Sequence, residues 1–171
     1  MNLFELSTEV QKINCMYADK YNKLLMQYED IILLGNGGSN AVSLHIAEDY
    51  SKVLNKRALA FGDAPRLTCY FNDYGVENAY VEFIRDFTTP KTLHILISSS
   101  GESFNVINCA SYCKNNDKDM VILTGFKEDN LLRKFARNSK MEYWVDSEDY
   151  GVVEIAHETF LHSVICAIVL I

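Results

Sequence analysis

The sequence predicts an α/β domain built on a parallel sheet, and three observations predict it. Short apolar runs that read as buried strands alternate with stretches of helical character, which implies βαβ units. Two of those runs end in loops of small residues, Gly35-Asn36-Gly37-Gly38-Ser39 and Ser98-Ser99-Ser100-Gly101-Glu102-Ser103, each opening into a helix. The chain has 171 residues, 49% of them hydrophobic, and only 2 prolines. That is one ordinary domain with enough apolar material for a core. No repeat, linker or low-complexity segment divides it.

Taken in order, Leu6, Val10, Ile13, Tyr17, Tyr21, Leu24 and Leu25 recur mainly at spacings of three and four. They mark an amphipathic helix over about 3–28. A strand at 31–34, the first loop and a helix from Ser39 to Leu54 follow. A second strand covers Arg57 to Phe61, and Pro65 starts a short helix that ends near Asn72-Asp73-Tyr74-Gly75. Glu77 to Phe87 reads as helical. The third strand is 93–97, and the second loop leads into a helix to about Lys114. A fourth strand, Met120 to Leu123, closes at Thr124-Gly125. Residues 130–137 read as helical, Glu142 to Val145 as the fifth strand, and Tyr150 onward as a helix to the end of the chain.

A strand, a Gly/Ser turn and a helix N-terminus together make an anion site. Backbone N–H groups at a helix start lack partners, and the macrodipole favours negative charge there. Hydroxyls add donors, and small side chains let a phosphate approach the backbone. In an open α/β sheet, ligands sit beyond the C-terminal strand ends, which is where both loops lie. Two such loops point to a ligand carrying a phosphate and something more.

Other loop chemistries do not fit. A dinucleotide fingerprint beginning at Gly35-x-Gly37 needs a third glycine where Asn40 stands, and the chain starts with a helix rather than that fold's first strand. The Gly-Lys-Ser/Thr of a Walker A loop is missing. Ser100 lacks the Gly-x-Ser-x-Gly frame of a nucleophile elbow.

The net charge of −7 argues against nucleic acid, whose non-specific binding needs clustered Lys and Arg. The short basic stretch Lys52 to Arg57 reads as a solvated helix end. The five cysteines form no CxxC, and Cys109 and Cys113 share a helix face. A reduced, cytoplasmic protein fits this usage. Met1 to Asp30 mixes charged and apolar residues as no signal peptide does. The apolar run Val164 to Ile171 is too short to span a bilayer.

Four ionisable residues stand out. His45 and Asp49 are four apart on the helix that leaves the first loop, so they share a face. Glu154 and His162 lie eight apart on the last helix and could converge on one pocket. Two histidines and two carboxylates could form a tetrahedral metal site, or equally supply a general base and acid. Each has a plainer reading: His45 as a half-buried histidine, Glu48-Asp49 as a solvated face. By spacing, His157 points elsewhere.

Ile31 to Tyr50, reading IILLGNGGSNAVSLHIAEDY, resembles the phosphate loop and first helix of SIS-domain (sugar isomerase) proteins, and more narrowly of the bacterial phosphoheptose isomerases. Asn72-Asp73-Tyr74-Gly75 and ISSSGESFNV (Ile97 to Val106) resemble two further signatures of that group, and the last helix is similar to its catalytic helix. The likeness covers nearly the whole chain in order and spacing.

The resemblance implies a single SIS domain over 1–171. Its fold would be a flavodoxin-like, three-layer αβα sandwich on a five-stranded, mostly parallel sheet. It also implies a homo-oligomer, usually a tetramer with sites at subunit interfaces, in whose packing the N-terminal helix takes part. The implied activity converts sedoheptulose 7-phosphate to D-glycero-D-manno-heptose 7-phosphate through an enediol(ate), with one Zn²⁺ per subunit.

By matching position, Asn36, Gly37, Gly38 and Ser39 contact substrate. Asn72 and Asp73 hold sugar hydroxyls, and Ser98, Ser99, Ser100 and Ser103 bind the phosphate. His45, Asp49, Glu154 and His162 are the implied metal ligands. Asp49, Glu154 and His162 are also the implied catalytic groups, and Glu154 touches substrate as well.

Two positions depart from the family pattern. Asp49 stands where the family usually has Glu, one methylene longer, and such a displacement of about an ångström can cost roughly 100-fold. Glu154 stands where the family usually has Gln. The double change moves negative charge without abolishing it, which reads as a re-set site. Glu48 could compensate for Asp49 if the helix register shifted. Two other functions share these loops: an isomerase for a different sugar phosphate, and a non-catalytic, sugar-phosphate-binding regulator.

Overall fold

The computed structural model describes the backbone of residues 2–169 and the side chains of residues 2–166. The apolar run that begins at Val164 therefore ends outside the described residues.

Five strands form one sheet: β1 (Asp30–Leu34), β2 (Arg57–Ala60), β3 (Thr92–Ser98), β4 (Met120–Thr124) and β5 (Met141–Trp144). Their spatial order is β2-β1-β3-β4-β5, and every neighbouring pair is parallel. The sheet is thus wholly rather than mostly parallel, because each connection is a crossover carrying helix or helical turn. All of β1 and β3 is buried, as strands covered on both faces must be.

Alternation along the strands sorts two cores. On one face Ile31, Leu33, Ile95, Ile97 and Leu123 pack under α2 (Ala18–Leu25), α3 (Gly37–Leu54) and α7 (Tyr150–Val169), through Tyr21, Ile46, Tyr50, Val153 and Phe160. On the other, Ile32, Leu34, Leu96 and Ile122 pack under α5 (Ala79–Phe87) and α6 (Phe104–Asn115), through Phe83, Ile84, Val106 and Cys109. The third helix on that side is α4 (Ala64–Tyr74), which packs on α5. The result is an αβα sandwich.

The N-terminal helical segment is not one regular helix. It comprises α1 (Leu3–Lys12), a π-helical turn (Ile13–Tyr17) and α2, and ends at Leu25. Asn2 caps its start, accepting from the Phe4 and Glu5 N–H groups. The stretch read as helical at 130–137 is a 3₁₀ helix, Leu132–Asn138.

A buried relay ties three helices on the α7 side. Tyr50 Oη donates to the Leu161 carbonyl at 2.8 Å, and Tyr21 Oη lies 2.8 Å from Tyr50 Oη. The position of α7, which carries candidate site residues, is therefore set by α2 and α3 together.

Candidate active site

The loops after β1 and β3 flank the point where strand order reverses, the usual place for a ligand in a doubly wound sheet. Gly37 and Gly101 adopt φ of 53° and 69°, left-handed values that a side chain would strain. A reciprocal amide pair locks the two loops: Asn36 Nδ2 donates to Asn105 Oδ1 at 2.8 Å, and Asn105 Nδ2 returns a bond at 2.9 Å. Tyr80 Oη donates to the Gly35 carbonyl at 2.7 Å. Asn36 is thereby spent on architecture, and its side chain makes no cap bond to α3.

Between the loops lies a polar cleft of about 230 Å³. It is lined by Asn36, Gly37, Gly38, Ser39, Ser98, Ser99, Ser100 and Ser103, with Tyr150 and Glu154 arriving from α7. Ser98 Oγ donates to Ser103 Oγ at 3.2 Å, and Ser39 and Ser99 hydroxyls approach to 3.5 Å. The cleft is framed by the first turns of α3 and α6, so its N–H groups and hydroxyls suit an anion.

Glu154 reaches across to Gly38 so closely that a Cβ there would overlap its carboxylate oxygens. Burial pushes its carboxyl above the usual glutamate range.

A second group forms where α3 crosses α7. Asp49 Oδ2 lies 3.7 Å from His45 Nε2 and 3.7 Å from His162 Nδ1. The ligand atoms of these three residues fall within 4.8 Å of one another. Two imidazoles and a carboxylate this close suit a metal ion that takes nitrogen and oxygen donors.

Glu158 joins them, with Oε1 3.8 Å from His45 Nε2 and 3.8 Å from His162 Nε2. Sequence reasoning missed Glu158. Its signal was the Glu158-x₃-His162 spacing, the counterpart of His45-x₃-Asp49 on α3. The group borders an apolar groove of about 700 Å³, lined among others by Val10, Ile13, Ile155, Glu158, His162 and Cys166.

The structure thus brings His45, Asp49 and His162 together and places Glu154 in the cleft, outside that trio. The register of α3 turns Asp49 toward the histidines, while Glu48 is exposed. Asn72 and Asp73 sit on the exposed last turn of α4, where Asn72 Nδ2 donates to Asp73 Oδ1 at 2.9 Å, and they do not line the cleft of their own chain. His157 faces the sheet with Nε2 3.0 Å from the Thr124 carbonyl, and burial pulls its pKa down to about 4.

No protein-family model matches the chain. Curated relatives do. It is 27% identical over 153 residues to the phosphoheptose isomerase of Fusobacterium nucleatum, covering 86% of this chain and 77% of that one. It is 30% identical over 120 residues to the phosphoheptose isomerase of Cytophaga hutchinsonii, covering 67% of this chain and 63% of that one. The solved phosphoheptose isomerase of Neisseria gonorrhoeae superposes with a TM-score of 0.82 at 24% identity, over 98% of this chain and 93% of the other.

The fold is that of the sugar isomerase (SIS-type) domains. Within that class, the chain is a homologue of the phosphoheptose isomerases.

Proposed function

We propose that the chain is an aldose–ketose isomerase of phosphorylated sugars, and that its substrate pair is sedoheptulose 7-phosphate and D-glycero-D-manno-heptose 7-phosphate. The observation that carries this reading is the cleft itself, in which hydroxyls and helix N-termini that suit a phosphate share one space with a carboxylate of raised pKa. The relatives, which are phosphoheptose isomerases, point the same way.

Isomerisation moves a proton between C1 and C2 through an enediol or enediolate, which needs a base of pKa near neutrality and donors for the developing oxyanion. Glu154 suits the base, since burial brings its carboxyl toward that range. Asp49 is held between two imidazoles and suits ligation better. The first turn of α3 and the Ser39 hydroxyl are placed to receive negative charge on the sugar oxygens. His162 stands two turns beyond Glu154, roughly 12 Å along α7 at about 1.5 Å per residue. At that remove, and with its two nitrogens facing Asp49 and Glu158, it suits the metal group rather than the proton transfers at C1 and C2.

His45, Asp49 and His162 would hold the metal, which we take to be one Zn²⁺ per subunit. When bound, it would supply a Lewis acid for an oxygen of the sugar.

The same reading makes the protein a cytoplasmic homo-oligomer, a tetramer by the resemblance. Leu3, Phe4, Val10 and Met16 expose apolar surface on the N-terminal helical segment, which supports packing against another subunit. No helix among the described residues is long and apolar enough to cross a membrane.

The test is incubation of the purified chain with sedoheptulose 7-phosphate, with and without Zn²⁺, following the aldose by NMR. Appearance of the heptose 7-phosphate is the expected result. Binding of the sugar phosphate without turnover would replace this reading with another substrate or a regulatory protein.

A further inference from the structure

We infer that Glu158 is the positioning residue of the metal-binding group, holding Nε2 of His162 so that Nδ1 is the nitrogen turned to the ion. The inference rests on the reading of His45, Asp49 and His162 as a metal group and is independent of which sugar is turned over.

The His162 ring stands between two carboxylates. Its Nδ1 faces Asp49 Oδ2 at 3.7 Å, and its Nε2 faces Glu158 Oε1 at 3.8 Å. The two lone-pair directions of an imidazole diverge, so one ion takes one nitrogen and leaves the other to carry the proton. The compact trio of His45, Asp49 and His162 places the ion on the Asp49 side. Nε2–H then needs an acceptor, and Glu158 is the carboxylate that faces it.

A small torsional change closes 3.8 Å to hydrogen-bonding distance, giving a carboxylate–histidine–metal relay that fixes the tautomer and raises ligand basicity. The helix dictates the partnership, because residues four apart on α7 share a face. Glu154, one turn earlier, is committed to Gly38 and is not the acceptor. Asp49 supplies a short ligand arm, so correct presentation of the His162 ring matters more in this chain than where a longer carboxylate can adjust.

The experiment is calorimetric Zn²⁺ titration of the intact purified chain and of Glu158→Ala, Glu158→Gln and Glu154→Gln. It is paired with Co²⁺ visible absorption and long-range ¹⁵N spectra of the histidine side chains, assigned with His162→Gln. We expect wild type to bind one equivalent with His162 protonated on Nε2. Glu158→Ala should lose about 10–100-fold in Zn²⁺ affinity, the usual effect of removing an outer carboxylate. Glu158→Gln should fall between, since its amide oxygen still accepts, and Glu154→Gln should match wild type.

If Glu158→Ala does not fold, judged by its melting curve, Glu158→Gln and the ¹⁵N tautomer carry the test. Zn²⁺ affinities of the Glu158 variants within threefold of wild type, or metal on Nε2, would overturn the role of Glu158 alone. Absence of metal binding by wild type would remove the metal reading and this inference together.

Discussion

The carboxylate of Glu154 rests on the backbone of Gly38, at the first turn of α3, with no room between them for a methyl group. This contact joins the last helix to the first loop. It also explains why a chain that uses glutamate at this position needs glycine opposite it.

Gly38→Ala should separate folding from function. The alanine favours the helix by up to about 1 kcal/mol, and the obstacle it meets is the end of a flexible side chain, so the melting temperature should change little. Glu154 must swing away, and a displacement of about an ångström costs roughly 100-fold in turnover. Turnover measured beside a thermal melt checks this, and unchanged turnover would remove Glu154 from the chemistry.

Glu154→Gln should trade activity for stability. Burial raises the folded-state pKa of this carboxyl. The folded state therefore holds its proton more tightly than the unfolded chain, and ionisation costs stability as pH rises through that interval. Above it the full penalty is present. The neutral isostere escapes the penalty, so the variant should melt higher than wild type at pH 7 and alike at low pH. Turnover should fall by about 10²–10⁴. In wild type, the acid limb of the turnover profile should lie above the ordinary glutamate range.

Ser100→Ala and Ser103→Ala test the anion cradle. A hydrogen bond to a charged group contributes about 1.5–3 kcal/mol, or roughly one to two powers of ten in affinity. Each variant should raise KM and the inhibition constant of inorganic phosphate together while kcat changes little. A fall in kcat at constant KM would mean that these hydroxyls contact the reacting end of the sugar instead.

Acid should unfold the protein partly through His94. Its Nδ1 lies 2.9 Å from the Asp119 carbonyl, its Nε2 lies 2.8 Å from Thr88 Oγ1, and burial lowers its pKa to about 4. Unfolded, it binds a proton near the ordinary histidine value, about 6.5. The stability it contributes is complete above that value and is lost as pH falls toward 4. His94→Gln should flatten the decline in urea-unfolding free energy across that window. An unchanged slope would assign the decline to other groups, of which His157 is the first candidate.

The strands were legible because fully buried parallel strands are short apolar runs bounded by turn residues, as Ile31-Ile32-Leu33-Leu34 and Leu93 to Ile97 are. The cleft was legible because Gly and Ser between strand and helix have few other uses. What escaped depends on how elements cross. Glu158 meets His45 only because α7 packs on α3, and no periodicity within either helix encodes that crossing. The direction of the Glu154 side chain depends in the same way on the space left by Gly38. The π turn at Ile13–Tyr17 lies inside an unbroken three-and-four pattern, so the pattern read as one regular helix.

The two cradle loops hang from β1 and β3, strands that pair directly although β2 and three helices intervene in the chain. An unfolded chain therefore cannot assemble the cradle. A ligand that fits it binds the native state alone and shifts the unfolding equilibrium by mass action, about 2.7 kcal/mol at a hundred times its dissociation constant. Melting temperature thereby becomes a reporter of chemical identity. Heating the protein beside a panel of phosphorylated sugars would rank them by affinity, before any reaction is followed.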